Sequence, residues 1–195
     1  MITSINKFNE TLLVPRNIDG RKDKLKQNNF NLLQQETIDG NLTIDESFLF
    51  DFDFQVKTKQ INGNVAIQLG YIPLWLENII INGLFDCARI NLTTLKGCPK
   101  KINGSFLCDN NELTSLEYGP EYVGDSYWCN RNKLTTLKGC PKKINGSFVC
   151  SNNELTSLEY GPEYVGRIYF CNANKTKFTK QYVESLCDGT IRILC

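Results

Sequence analysis

The chain has 195 residues, 22 basic against 21 acidic side chains, a net charge of +1 and no histidine. Near-neutral charge gives no global pull towards nucleic acid or anionic lipid. The lack of histidine removes Ser-His-Asp, Cys-His and histidine-ligated metal chemistry. No apolar run approaches the roughly 20 residues that a membrane-spanning helix needs, and the opening MITSINKFNETLLV carries no secretion-signal pattern.

Residues 1–35 match nothing that follows and are expected to form an N-terminal cap. An apolar cluster of Phe8, Leu12, Leu13 and Val14 ends at Pro15, and a charged stretch runs from Arg21 to Lys26. Terminal units of a repeat array need a polar outer side, which this composition supplies.

Residues 36–84 read as irregular coils. The phrase Ile38-Asp39-Gly40-Asn41-Leu42-Thr43-Ile44 returns in altered form from Ile61 and again from Ile81. Between the first two, Phe48, Phe50, Phe52, Phe54 and Val56 alternate at period two, which predicts an inserted strand with one apolar face. Asp51 and Asp53 then form its wet side rather than a catalytic carboxylate pair.

Residues 85–177 hold the regular repeats. Leu92–Lys133 and Leu134–Lys175 are one 42-residue unit written twice, and each unit nearly repeats at half its length. Cys87, Cys108, Cys129, Cys150 and Cys171 stand 21 apart, as do Leu92, Leu113, Leu134 and Leu155. A fixed period of this kind predicts a solenoid in which each coil buries its apolar side against its neighbours. Equivalent side chains then lie about 4.8 Å apart, one strand spacing. The periodic cysteines read as reduced thiols stacked in the core. No Cys-x-x-Cys pair occurs, so neither a metal nor a cofactor is expected.

Each position has a physical role. Phe106 and Cys108 point inward from a short strand, because strand side chains alternate. Asn111, Asn132, Asn153 and Asn174 share a register where an inward amide would satisfy turning backbone. Leu113 and Leu116 close the core, and Pro99, Pro120, Pro141 and Pro162 mark the return turn. Ile102, Val123, Ile144 and Val165 lead into the next strand. Charges alternate from coil to coil in three rows: Lys96/Glu117/Lys138/Glu159, Lys100/Glu121/Lys142/Glu163 and Glu112/Lys133/Glu154/Lys175. Opposite charges stacked in this way favour one register.

The layout Phe106-x-Cys108-x-x-Asn111-x-Leu113-x-x-Leu116 resembles the leucine-rich repeat consensus. It is also similar to the short Cys/Asn-rich repeats of tailed-phage and giant-virus proteins. The resemblance covers about residues 85–177. It implies a mainly β repeat solenoid of short strands and turns, and it carries no catalytic residue. It also implies that partners bind on the strand face. Alternation places Leu107, Trp128, Val149 and Phe170 outward on that face as an apolar stripe. Asp109, Asn130 and Asn172 run beside the stripe with Arg131, and these eight residues are the candidate partner-binding set. An apolar stripe rimmed by polar groups marks an interaction site.

Residues 178–195 read as a C-terminal cap. Thr179 caps a short helix over 180–187 with Tyr182, Val183 and Leu186 on one face, and Thr190–Cys195 forms a last strand. The whole chain is expected to be one continuous domain with no enzymatic activity. The expected function is protein–protein interaction with a host or viral partner, with self-association as a further mode. Nucleic acid and membrane are not expected as partners. The alternative is a structural part of a virus particle. The expected location is cytoplasmic, the host cytoplasm if the protein is viral, or the virion.

Overall fold

The computed structural model describes residues 20–49, 55–189 and 192–195. Most coils contribute two very short strands, and the strands stack in parallel into two sheets. The seven-stranded sheet takes Thr37–Asp39, Gln60–Asn62, Ile80–Ile81, Lys101–Ile102, Tyr122–Val123, Lys143–Ile144 and Tyr164–Val165 in chain order. The eight-stranded sheet takes Leu42–Ile44, Val65–Ile67, Phe85–Asp86, Phe106–Leu107, Tyr127–Trp128, Phe148–Val149, Ile168–Phe170 and finally Arg192–Leu194. The molecule is a parallel β-solenoid of about seven coils of about 21 residues.

The registers follow the sequence period. Ile38 pairs with Ile61 and Ile61 with Ile81, so the irregular coils stack like the regular ones. Phe106 pairs with Tyr127 and Tyr127 with Phe148. Ile102, Val123, Ile144 and Val165 do more than lead into a strand: each belongs to a strand of the second sheet. In the corner between a coil's two strands, one position leaves no room for a side chain. A Cβ on Gly104 would sit 2.5 Å from the Gly83 carbonyl oxygen of the coil below, so glycine is required there by close approach of backbones.

The core between the sheets is ordered by rows. Phe85, Phe106, Tyr127, Phe148 and Tyr169 form an aromatic ladder with successive ring centroids 6.1, 4.9, 5.9 and 5.2 Å apart. All nine cysteines are free thiols, and those of the 21-residue row are buried. The inward asparagines behave as the sequence implies. Asn132 Nδ2 donates to the Cys108 carbonyl of the coil below (3.0 Å) and to Cys129 of its own (3.1 Å), while its Oδ1 accepts from Leu113 N (3.0 Å). Asn111 and Asn153 repeat this arrangement. Backbone that turns away from a sheet inside the core thus keeps its partners.

Opposite charges meet between coils at Lys138–Glu117 (2.8 Å), Lys142–Glu163 (2.9 Å), Lys175–Glu154 (3.2 Å) and Lys133–Glu112. All are solvent-exposed, so they choose register more than they add stability.

The ends depart from the sequence reading in part. The stretch Gly20–Leu33 is a helix, α1, which its polar composition does not announce. Leu33 is buried, and Asn29 Nδ2 donates to Ser47 Oγ at 2.8 Å. Tertiary contacts, not an apolar stripe, hold this helix. Phe48 closes a 3₁₀ turn, Glu46–Phe48, instead of opening a strand, and Val56 also lies outside any strand. The Asp45 carboxylate caps that turn through Ser47 N. The rest of the expected inserted strand, with Asp51 and Asp53, lies outside the described residues, as do Phe8, Leu12, Leu13 and Val14. At the other end, Thr179 caps a helix, α2 (Lys180–Leu186), accepting from Tyr182 N. Val183 is buried beneath it, whereas Leu186, expected on the same face, is exposed.

Candidate functional site

The outer face of the eight-stranded sheet carries the candidate stripe. Trp128 pairs with Leu107 on one side and Val149 on the other, and Val149 pairs with Phe170. Their inward neighbours Phe106, Tyr127, Phe148 and Tyr169 are buried, so alternation turns these four outward. Trp128 is 44% exposed, the most open of the row. The row continues one coil beyond the sequence prediction: Leu194 pairs with Phe170. Towards the N-terminus it loses its large apolar side chains, running through Asp86 and Ala66 to Thr43.

A shallow depression of about 360 Å³ opens on the C-terminal half of this face. Trp128, Arg131, Val149, Ile168, Phe170 and Leu194 line it. Beside the stripe, the predicted residues divide. Asp109 is buried and accepts from Asn110 Nδ2 at 2.5 Å. Asn130 and Asn172 are half-buried, and the Oδ1 of each is shut away from solvent without a hydrogen-bond partner among the described residues. Arg131 is exposed and sits in the left-handed region, at φ 54°. Asn110 and Asn152 adopt the same conformation in their coils, both at φ 54°. This turn residue swings the chain from the sheet edge towards the inward asparagine that follows. The left-handed region suits Asn and is costly for most other side chains.

The two 42-residue copies supply a further signal. They differ at six positions: Leu107/Val149, Asp109/Ser151, Asp125/Arg167, Ser126/Ile168, Trp128/Phe170 and Arg131/Ala173. All six lie on a strand of the eight-stranded sheet's outer face or on the residues that lead into or leave it. Every other surface position is identical between copies, including the exposed Lys96/Lys138, Tyr118/Tyr160 and Glu121/Glu163. Sequence reasoning placed Leu107, Trp128, Val149 and Phe170 through alternation, with Ser126 and Ile168 along one side of them, but it passed over Asp125 and Arg167. Lining up the copies residue by residue finds them.

The outer face of the seven-stranded sheet is different in kind. Lys101, Tyr122, Lys143 and Tyr164 alternate along it, with Lys101 over the Tyr122 ring (5.8 Å) and Lys143 over the Tyr164 ring (5.2 Å). Next to them, Asn103 donates to Asn82 Oδ1, Asn82 to Asn62 Oδ1 and Asn62 to Asp39 Oδ1, at 2.6, 2.6 and 2.7 Å.

Burial pushes the thiols of Cys87, Cys98, Cys108, Cys129, Cys140 and Cys150 well above their ordinary range. They are therefore protonated fillers, not nucleophiles. Among the described residues, no group of three or more His, Cys, Asp or Glu is placed to hold a metal ion. Among the same residues, no helix is long and apolar enough to cross a membrane. No protein-family model matches the chain, and no curated protein or solved structure matches it either.

Proposed function

We propose that the chain is a non-enzymatic interaction module that holds another protein against the outer face of the eight-stranded sheet. One observation carries this reading: the two copies agree everywhere except on the strands of that face and the residues that lead into and leave them. A surface that served only to stabilise the stack would have no reason to differ there and nowhere else. A partner with its own uneven surface gives that reason, because each coil meets a different part of it. Trp128, Phe170 and Leu194 are the anchors, since large apolar side chains in a desolvated depression carry most binding energy. Arg131 and Arg167 form the charged rim.

The finer identity, a leucine-rich-repeat-like module of viral origin acting in the host cytoplasm, is supported by the repeat phrasing. The buried free thiols fit a reducing compartment. The same phrasing supports the second reading, a fitting protein of a virus particle. Purified particles in which mass spectrometry finds no trace of the chain would remove that reading.

The test of the main reading uses the molecule's own second copy as a folding control. Changing Leu107→Val, Asp109→Ser, Asp125→Arg, Ser126→Ile, Trp128→Phe and Arg131→Ala makes the first copy identical to the second. The fold already tolerates every one of these residues 42 positions later. In captures from the native host, the partner held by the natural chain is expected to be lost from this variant. Equal capture by both would overturn the reading.

A further inference from the structure

The last strand carries a pair of thiols that the rest of the stack does not repeat. Arg192–Leu194 lies in parallel register on Ile168–Phe170, and Cys171 N donates to the Leu194 carbonyl at 2.8 Å. This places Cys171 and Cys195 side by side, with their Sγ atoms 3.2 Å apart. Lower in the row the thiols point elsewhere: Cys87 Sγ donates to the Leu107 carbonyl at 3.3 Å, and Cys129 Sγ to that of Val149 at 3.4 Å. Paired residues on neighbouring strands have Cα atoms about 4.8 Å apart, inside the roughly 4.4–6.8 Å that a disulfide spans.

The two thiols also differ in access. Cys171 is buried, while Cys195 is partly exposed. Burial, then the hydrogen bond with Cys195, pushes the Cys171 thiol up. Access makes Cys195 the thiol a reagent meets first, and the 3.2 Å contact between the two Sγ atoms, despite the raised Cys171 thiol, puts Cys171 within reach of what forms there.

We propose that Cys171 and Cys195 are a redox modification site, a dithiol that a low-molecular-weight disulfide converts into an intrachain disulfide. The thiolate of Cys195 attacks one sulfur of the small disulfide, whose S–S bond breaks to release one small thiolate. Cys171 then attacks Cys195 Sγ of the mixed disulfide and expels the second. The two protons lost by the protein pass to the two released thiolates, and the small disulfide is the oxidant. The product ties the last strand to the coil beneath it and fixes Leu194 beside Phe170. The inference stands on this geometry alone and does not depend on what the face binds.

Oxidised glutathione is the probe. The full-length chain is incubated with it, digested without reduction and analysed by mass spectrometry, and amide exchange is followed over Arg192–Leu194. The expected result is a Cys171–Cys195 cross-link with no glutathione retained, and exchange slowed roughly a hundredfold. Cys195→Ser should abolish both effects, and Cys195→Ala serves if the serine variant does not fold. A stable glutathione adduct on Cys195, a link from Cys171 to Cys150 or Cys187, no reaction, or a cross-link that leaves exchange unchanged would each overturn the proposal.

Discussion

The two sheets share one interior and present two opposed kinds of surface. On the seven-stranded side, Lys101 and Lys143 lie over the rings of Tyr122 and Tyr164, and Asn103, Asn82 and Asn62 bond in series down the first coils. That side is also unchanged between the internal copies. On the eight-stranded side, Trp128 stands open and the side-chain oxygens of Asn130 and Asn172 are buried without partners among the described residues. All the divergence between copies collects there. The difference teaches that one face of a solenoid can keep its repeat unbroken while the opposite face of the same coils varies.

The most drastic way to break the contrast is to remove the shared interior. Burial raises the pKa of the stacked thiols, so the folded chain keeps protons that the unfolded chain gives up. Below the ordinary thiol value of 9.0 both states are protonated and stability is intact. Above it the unfolded state binds fewer protons and stability falls, by up to about 1.4 kcal/mol per pH unit for each buried thiol. Six such thiols acting together are expected to unfold the chain within about two pH units. Thermal melts from pH 7 upward check this, followed by tryptophan emission and by far-ultraviolet dichroism. The melting temperature should hold to about pH 8 and then drop, with both signals together. A flat profile to pH 11 would show that thiol burial does not limit stability.

Next in size is a comparison of two asparagine ladders. Asn132 is buried and serves three backbone groups, whereas Asn103 belongs to the exposed ladder of the seven-stranded face. Asn132→Ala strands those groups and should cost about 2–4 kcal/mol. Asn103→Ala loses an exposed side-chain bond and should cost under about 0.5 kcal/mol. Denaturant titrations of the two variants measure both. Similar losses would mean that the exposed ladder also holds the stack together.

The functional half of the contrast turns on two pairs of aromatic residues. Trp128→Ala with Phe170→Ala should weaken capture of the partner by about thirtyfold or more, the loss of about 2 kcal/mol expected of anchor side chains. Tyr122→Ala with Tyr164→Ala should leave it within about twofold, because those rings already have lysines as partners. Titration of the captured partner against each variant decides the matter. If the tyrosine pair proves the more damaging, the binding side has been assigned to the wrong sheet.

How much of this was legible beforehand depends on what each residue answers to. The 21-residue period of Cys, Leu and Asn fixes stacking, because equivalent residues in adjacent coils must meet, so the core rows and the outward row around Trp128 could be read directly. The second sheet was hidden because each of its regular strands buries a single residue, such as Ile102 or Val123, whereas the first shows an inward–outward–inward triplet such as Phe106, Leu107 and Cys108. α1 was hidden because its helix depends on contacts such as Asn29 to Ser47, which are remote in sequence. Leu194 was missed as a member of the stripe because it follows its partner Phe170 by 24 residues and so falls off the 21-residue period. The six differing positions were legible in principle, since they need only the two copies laid side by side. Their meaning needed the fold, which brings them onto one surface.

The smallest expected effect tests whether the interior, and not a partner, dictates the sameness of the copies. Within the ladder Phe106, Tyr127, Phe148 and Tyr169 alternate phenyl with phenol, and the turn register preceding each reads Cys98, Gly119, Cys140 and Gly161. A Cβ on Gly119 would lie 3.4 Å from Tyr127 Oη and 3.1 Å from Leu95 Cδ1, so the phenol coils have glycine where the phenyl coils carry a thiol. The core thus enforces a two-coil rhythm by volume, which accounts for the 42-residue unit but not for which face diverges. The Tyr127 hydroxyl itself is buried with no hydrogen-bond partner among the described residues. Tyr127→Phe should therefore leave stability unchanged or raise it by less than about 1 kcal/mol, because it removes an unsatisfied polar atom. Trp128, next to it on the outer face, should keep its emission maximum. A clear loss of stability would mean that the hydroxyl has a partner among the thiols around it and that the rhythm is held by polar contacts as well as by volume.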